Sequence, residues 1–242
     1  MKKSSRSLPF VLFFMILSPL DIKAAGALVM IDPGHGGFDR GAVYDNAKES
    51  QIVLSLAGKL TNELNSRKNF KALLTRESDR HLNLATRVKN AEQAKAQLFI
   101  SLHANAAPES SAKGFEFFVF NPSNYRRANL GKLSEREAVV KTIITDLQQQ
   151  TRFFQSIQTS EEFSKTFQGP LKAGDFFVLR KATIPAILLE VGFLSNPRDR
   201  ARLQKSEYQD EMAIKMADSI ESAAARLGLQ IPIEKQRTAA TE

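Results

Sequence analysis

A chain of 242 residues, 43% of them hydrophobic, is long enough to bury one sizeable core and has the composition of an ordinary globular domain. It contains no cysteine, which excludes disulfide bonds and thiolate chemistry. The formal net charge is +8; residues 1–25 carry four basic residues and one acid, so the remainder keeps +5. A basic surface suits an anionic cell envelope as well as nucleic acid, but no nucleic-acid-binding motif is present, so no nucleic-acid partner is predicted.

The first 25 residues have the pattern of a secretory signal peptide. Basic residues open the chain, an apolar run follows over 8–20, and small residues occupy 24–27. The apolar run is too short to span a bilayer, which argues against a transmembrane helix. Cleavage after Ala24 or Ala25 would leave a periplasmic or secreted protein, and an uncleaved membrane anchor is the alternative.

Apolar periodicity divides the rest of the chain into alternating strands and helices. This alternation predicts a single α/β domain over residues 26–229, with three α/β/α layers and a mostly parallel (mixed) sheet of about six strands. Residues 230–242 are polar and are predicted to form a loose tail, and neither a repeat nor a second domain is evident. In chain order, the predicted elements are strand 28–31, helix 49–67, strand 71–75, helix 83–96, strands 98–102 and 115–120, helical stretches near 134–153 and 160–168, strands 176–180 and 186–190, and a helix near 206–227.

Two of the three histidines stand at the ends of predicted strands. His35 follows the first strand between glycines, and His103 closes the strand 98–102. The glycines allow a sharp turn and leave room for a ligand beside the ring, and this edge of an open α/β sheet commonly holds the site. The pair therefore predicts a metal site. The third histidine, His81, precedes a helix and is interpreted as a surface residue.

Two glutamates are candidates to complete this site. Glu49 opens helix 49–67, where the helix dipole favours a carboxylate, and two histidines with one glutamate form a ligand set of zinc hydrolases. Glu190 ends an apolar strand that is typical of burial on both faces, where an acid needs a role or a partner. Taken singly, each glutamate also has a purely structural interpretation. Glu49 would then be an ordinary acid at a helix start, and Glu190 would be a buried ion-pair partner of Arg76 or Arg180.

Together these segments resemble the signature of the zinc-dependent N-acetylmuramoyl-L-alanine amidases, the third family of peptidoglycan amidases. Several separate motifs in the right order are far more specific than any one of them. The resemblance runs from about residue 28 to about residue 225. Its motifs are Ile31–Gly37, Glu49, Thr75–Asp79, the helix with Leu84, Arg87 and Asn90, Ser101–Ala106, and Leu188–Asn196.

The resemblance implies hydrolysis of the amide between N-acetylmuramic acid and the L-alanine of the stem peptide, with peptidoglycan as substrate and Zn²⁺ as cofactor. His35, Glu49 and His103 would hold the metal ion, and Glu190 would be the catalytic acid/base. Asn105, just past His103, is a candidate for hydrogen bonding to the substrate. The alternatives are a zinc peptidase acting within the stem peptide and a non-catalytic wall-binding regulator, because the ligand set alone does not choose the bond.

The helical stretch near 134–153 lies where some periplasmic members of the family carry a helix that covers the zinc and is moved by an activator protein. The resemblance therefore admits a periplasmic activator as a partner of an otherwise monomeric chain. Glu135 and Glu137 are candidate regulatory residues that would reach the site. The simpler interpretation is a helix packed on the sheet. In either case one buried face is predicted from Ala138, Val139, Ile143, Ile144 and Leu147.

Overall fold

A six-stranded sheet organises residues 27–122 and 136–229, the part of the chain that the computed structural model describes. β6 runs antiparallel to β8, and every other neighbouring pair is parallel. The predicted mostly parallel, mixed sheet of about six strands is confirmed. In spatial order the strands are β4 (Phe70–Leu74), β1 (Ala27–Pro33), β5 (Leu98–Asn105), β8 (Ala186–Phe193), β6 (Glu116–Val119) and β7 (Leu171–Ala173).

Helices cover both faces of this sheet, which gives the predicted three layers. One face packs against α1 (Glu49–Ser66), α3 (Arg136–Phe167) and α6 (Ser206–Leu227). The other packs against α2 (Leu84–Gln93) and α4 (Phe177–Lys181). Beside the layers lie a hairpin of β2 (Val43–Tyr44) and β3 (Ala47–Lys48) and the short helix α5 (Pro197–Leu203), none of which the sequence analysis predicts. None of the described helices is long and apolar enough to cross a membrane.

The predicted strand 176–180 is wrong, because these residues form α4. Val178 and Leu179 of this helix are buried in the core between the sheet and the helices α2 and α4. A short apolar run fits the period of a strand and of a buried helix equally well, so periodicity does not distinguish them. The sixth strand is instead β7, which was not predicted because it is only three residues long and all three are exposed, so its apolar pattern is too short to indicate a strand.

The helical stretches predicted near 134–153 and 160–168 are one continuous helix, α3. Neither glycine nor proline occurs between residues 136 and 167, so nothing in the sequence interrupts the helix. It ends where Gln168 takes a left-handed φ of 54° and Gly169 and Pro170 follow. In its second half Phe163 is fully buried against the sheet.

Helix α3 packs over β6 and β8 and, in chain direction, runs from the amino end of β8 toward its carboxyl end. Near its C-terminus the Phe167 ring stacks on Phe115, 4.4 Å between centroids, just before β6 begins. Further back, Ser156 Oγ accepts a hydrogen bond of 3.0 Å from the main-chain N–H of Ala186, the first residue of β8. One turn earlier Arg152 still donates to the Thr183 carbonyl, so the residues of α3 that precede Arg152 project beyond the end of the sheet at which β8 begins.

The projecting part of α3 exposes apolar side chains. Ile143, Ile144 and Leu147 are exposed by 53%, 50% and 58%. The prediction that these three residues form a buried face is therefore wrong, because this part of the helix has left the sheet against which it would pack. Nothing is described of the side chains of Ala138 and Val139.

Candidate metal and catalytic site

The loop after β1 holds His35 in an unusual backbone conformation. His35 has a left-handed φ of 57°, which few non-glycine residues adopt, and Gly36 and Gly37 continue the turn with positive φ. The His35 ring is oriented by Asp39, whose Oδ1 lies 2.9 Å from Nδ1. Gly34 has no substitute here, because a Cβ at this position would lie 2.3 Å from the His103 ring. The loop thus brings two imidazoles together.

Glu49 lies between the two histidines, at the first residue of α1 as predicted. Its Oε1 lies 3.1 Å from His35 Nε2 and 3.0 Å from His103 Nδ1. The main-chain N–H of Ala104 donates to the same oxygen at 3.0 Å, and that of Ala42 donates to Oε2 at 2.8 Å. The carboxylate is therefore buried and held from four directions, with only 6% of its side chain exposed.

His35, Glu49 and His103 form a group that could hold a metal ion. One ligand atom from each lies within 4.8 Å of the others, and within the described ranges no other trio of metal-ligating side chains does so. Two imidazole nitrogens and one carboxylate oxygen are the donors that zinc takes in hydrolases. The hydrogen bond that the Asp39 carboxylate accepts from the second nitrogen of His35 is the usual support of a metal-bound histidine. The residues present therefore fit zinc.

The same contacts set the ionisation of the metal-free site. Burial disfavours the charged form of His35, but its hydrogen bonds and charge interactions with Glu49 and Asp39 outweigh burial and raise its pKa to about 9. Burial likewise disfavours the charged form of Glu49, but both histidines outweigh it and hold the pKa of this carboxyl far below its usual range. Strongly shifted pKa values cluster at functional sites, which supports this cluster as the candidate site.

Glu190 stands beside these ligands on the neighbouring strand. It pairs in register with His103, and β8 is buried at every residue, as predicted. Within the described residues its Oε2 is buried and has no hydrogen-bond partner, and burial raises the pKa of the carboxyl to about 7. Arg76 donates to main-chain carbonyls and Arg180 pairs with Asp175 at 2.5 Å, so the interpretation of Glu190 as their structural partner is wrong.

Asn105 and Glu116 lie at the same edge of the sheet. Asn105 Nδ2 donates to Glu116 Oε2 at 3.2 Å, so this side chain is engaged within the protein, and a contact of Asn105 with substrate stays a prediction. Glu116 also pairs with Lys172, and on β6 it is the register partner of Glu190. The sequence analysis missed Glu116, because only the antiparallel pairing of β6 with β8 brings it to the site. Asp39 was missed too, although its position four residues after His35 in the same loop was a usable signal.

A cleft of about 410 Å³ opens beside His35 and His103. Its walls are largely apolar. They come from Leu82 before α2, from Leu84 at the first position of α2, and from Phe176 and Phe177 at the start of α4. The third histidine, His81, is exposed at the rim as predicted, where its ring stacks on Phe38 with 4.1 Å between centroids. The cleft is large enough to receive part of a substrate next to the ligand cluster.

The candidate regulatory acids are not part of this cluster. Glu135 lies outside the described residues, and Glu137 belongs to the projecting part of α3, although its side chain is not described. Fifteen residues of helix, roughly 22 Å, separate Glu137 from Arg152, which bonds the Thr183 carbonyl just before β8. The described part of α3 leads away from His103 and Glu190 and does not cover them, so the expectation that Glu137 reaches the site is not met in this structure.

Comparison with known proteins places the chain in a family. The family model described as N-acetylmuramoyl-L-alanine amidase matches residues 29–222. The germination-specific N-acetylmuramoyl-L-alanine amidase of Bacillus subtilis is 30% identical, over 88% of this chain and 92% of that protein. These matches cover nearly the whole of the segment in which the motifs were recognised.

Solved structures agree with this assignment. The catalytic domain of CwlV, an N-acetylmuramoyl-L-alanine amidase from Bacillus (Paenibacillus) polymyxa var. colistinus, superposes with a TM-score of 0.64 at 30% identity and covers 84% of this chain and 99% of that chain. The CwlD amidase of Clostridioides difficile, solved in complex with the GerS lipoprotein, has a TM-score of 0.62 at 25% identity and covers 83% of this chain and 100% of that chain. The chain therefore belongs to the N-acetylmuramoyl-L-alanine amidase family.

Proposed function

We propose that this amidase hydrolyses the amide between N-acetylmuramic acid and L-alanine with a zinc ion held by His35, Glu49 and His103 and with Glu190 as the catalytic acid/base. The observation that carries the proposal is the pairing of a metal-fitting cluster with a buried carboxyl oxygen that has no partner within the described residues. An unpaired buried polar atom is costly, and it is explained if that oxygen meets a water molecule or the substrate during the reaction.

Zinc bound here would polarise the scissile carbonyl and lower the pKa of water to near 7. The protein supplies the geometry. Main-chain N–H groups of Ala42 and Ala104 orient the Glu49 carboxylate, and Asp39 orients the His35 ring. Because Glu49 holds both imidazoles, the three donors converge on one point without a large rearrangement.

Glu190 moves the protons of the reaction. In the metal-free protein burial raises the pKa of its carboxyl to about 7, toward the neutral range in which general acid/base catalysis is efficient. Its Oε2 would take a proton from the attacking water and return it to the nitrogen of L-alanine as the amide bond breaks. The atom that exchanges the proton must be free to contact the water and the departing nitrogen, which agrees with the lack of a partner for Oε2 among the described residues.

The choice of bond rests on the family and not on the ligand set. A zinc peptidase that cleaves within the stem peptide would use the same donors. The relatives and solved structures named above are N-acetylmuramoyl-L-alanine amidases, which favours the bond between N-acetylmuramic acid and L-alanine. A wall-binding regulator without activity is disfavoured, because His35, Glu49, His103 and Glu190 are all present and lie together.

We further propose that the protein acts outside the cytoplasm, where peptidoglycan lies, after removal of residues 1–25. The basic start and apolar run of this segment support a signal peptide. A protein partner is also proposed, and the complex of the C. difficile CwlD amidase with the GerS lipoprotein supports it. Size-exclusion chromatography of the secreted protein, alone and from envelope extracts, tests whether it is a monomer and whether a partner accompanies it.

The bond is tested by mass spectrometry of digested peptidoglycan. The protein loaded with Zn²⁺ is expected to release stem peptides with L-alanine at the N-terminus and to leave the glycan strands uncut. Products cut only within the stem peptide would identify a peptidase instead. The variant Glu190→Gln, treated in the same way, controls for contaminating hydrolases.

A further inference from the structure

Two arginines donate hydrogen bonds to main-chain carbonyls of the loop that carries His35. Arg76 Nε donates to the Pro33 carbonyl at 2.9 Å, and its Nη2 donates to the Gly34 carbonyl at 2.7 Å. Arg87 Nη1 donates to the same Pro33 carbonyl at 2.7 Å, and its Nη2 donates to the His35 carbonyl at 2.6 Å. Three consecutive carbonyls therefore point at two guanidinium groups, an arrangement that forces the chain to turn at this point.

Arg76 also connects this loop to the helix that carries Glu49. Its Nη2 donates to the Ser50 carbonyl at 2.9 Å, and its Nη1 donates to the Ser78 carbonyl at 3.0 Å. The side chain is fully buried, yet these hydrogen bonds all go to carbonyl oxygens and none to a carboxylate. Burying a cation that no carboxylate contacts directly is costly, and these hydrogen bonds join the segment of one candidate ligand, His35, to that of another, Glu49.

Arg87 is anchored from the opposite side. Its Nη1 lies 2.8 Å from Asp32 Oδ1, and both side chains are almost completely buried. Asp32 in turn accepts hydrogen bonds from Thr75 Oγ1 at 2.6 Å and from Ser101 Oγ at 2.8 Å. The Arg87 guanidinium is therefore fixed through Asp32 of β1, which is held by Thr75 just after β4 and by Ser101 of β5. Arg87 in turn restrains the carbonyls of Pro33 and His35.

We propose that Arg76 and Arg87 are positioning residues that hold His35 in its left-handed conformation, so that His35 Nε2 faces Glu49 and a metal ion binds without distortion of the loop. A non-glycine residue keeps such a φ only where its surroundings determine it, and here the two guanidinium groups do so. The proposal rests on the proposed zinc site, and it assigns to these arginines a role toward the metal that they perform without touching it.

The sign of the effect separates positioning from charge. A guanidinium beside a Zn²⁺ site repels the ion, so the loss of Arg76 would strengthen zinc binding if charge were its only influence. If Arg76 positions His35, its loss weakens zinc binding although a repulsive charge has been removed. Arg76→Gln tests this directly, because Arg76 has no carboxylate partner that the substitution would leave unpaired.

The experiment measures the zinc dissociation constant of the full mature protein by competition with a fluorescent chelator, together with the Tm of the metal-free form. Arg76→Gln is expected to raise the zinc Kd by about 10- to 100-fold, the cost of losing a group that orients a metal ligand, and excess zinc is expected to restore much of the activity. Arg67→Gln is the matched control. Arg67 binds Glu63, Asp218 and Glu221 at the far end of α1, so its loss should lower Tm and leave the zinc Kd unchanged.

Arg87→Lys provides a second, milder test. Lysine keeps a positive charge beside Asp32 but cannot grip the Pro33 and His35 carbonyls together, so the zinc Kd should rise again, and this variant decides the matter if Arg76→Gln does not fold. A zinc Kd that is unchanged or lower in the folded variants would overturn the positioning role. Failure of the parent protein itself to bind zinc would instead refute the proposed metal site, so the two failures are distinguishable.

Discussion

His103 and Glu190 are register partners on the adjacent parallel strands β5 and β8. Side chains alternate along a strand, so paired residues point to the same face of the sheet. A candidate ligand and a candidate acid/base thus stand side by side on the two central strands, whose backbone hydrogen bonds fix their separation. The register therefore places a carboxyl whose Oε2 has no hydrogen-bond partner among the described residues next to a cluster in which both oxygens of Glu49 accept hydrogen bonds.

Replacement of either histidine by alanine is expected to abolish activity and to remove most of the bound zinc, because a site with three protein ligands tolerates few losses. His35→Ala and His103→Ala are compared with His81→Ala by metal analysis after dialysis and by peptidoglycan digestion. His81 is a histidine at the rim of the same cleft that is no ligand, so its replacement should leave the zinc content at the parent level. Full zinc occupancy in the first two variants would refute the ligand assignment.

Glu190→Gln is expected to retain zinc and to lose activity by roughly 10²- to 10⁴-fold, the usual contribution of general acid/base catalysis. The amide has nearly the same shape as the carboxyl but cannot accept the proton of water. Glu116→Gln is the neighbouring control, and it should lose much less activity because the Glu116 carboxylate is already paired with Lys172. Simultaneous loss of zinc and activity in Glu190→Gln would show that Glu190 is itself a ligand.

Zinc binding is expected to release a proton near neutral pH. The pKa of His35 in the metal-free protein is raised to about 9, so the ring is protonated at pH 7.5, whereas zinc binds only the neutral imidazole. The apparent zinc affinity should therefore rise as pH increases toward 9. Above that pH His35 is already neutral, so its ionisation should no longer affect the affinity. Calorimetry in two buffers of different ionisation enthalpy counts the protons released.

Asp39→Asn is the control for this linkage. Asp39 contributes to the raised pKa of His35, so its loss should lower that pKa and reduce the number of protons released at pH 7.5. Heats of binding that do not depend on the buffer in the parent protein would contradict the prediction.

Helix α3 should respond differently to substitution in its two halves. Leu147→Ser is expected to change the free energy of unfolding by no more than about 0.5 kcal/mol, because this side chain is largely exposed. Phe163→Ala should cost about 3–5 kcal/mol, because it empties a fully buried site. Chemical denaturation of both variants provides the comparison. A cost above about 2 kcal/mol for Leu147→Ser would mean that the apolar face of the projecting helix is covered in solution.

Much of the site followed from local sequence. The glycines around His35, the end of an apolar strand before His103 and the helix start at Glu49 are local features, and each predicted a position that the structure bears out. The burial of Glu190 was equally local, since a continuous apolar run is typical of a central parallel strand. These predictions succeeded because strand ends, glycine turns and helix starts depend on neighbouring residues alone.

Other features depended on contacts between distant segments. Glu116 reaches the site only through the antiparallel pairing of β6 with β8, and Arg76 and Arg87 reach the His35 loop only because β4 and α2 flank β1. The residues of α4 were mistaken for a strand because tertiary packing, and not the hydrophobic period, decides whether a short apolar run forms a strand or a helix.

The sequence by itself determined the fold class, the two strand-end histidines, the position of Glu49 at a helix start and the burial of Glu190, because apolar periodicity and turn residues are local features of the sequence. The tertiary structure alone decided which side chains hold these groups in place and where α3 leads. A helix without glycine or proline continues for as long as its own hydrogen bonds allow, and only the position of the sheet determines where it ceases to be buried. For α3 that point is near Ser156, and the part of the helix N-terminal to it extends away from His103 and Glu190.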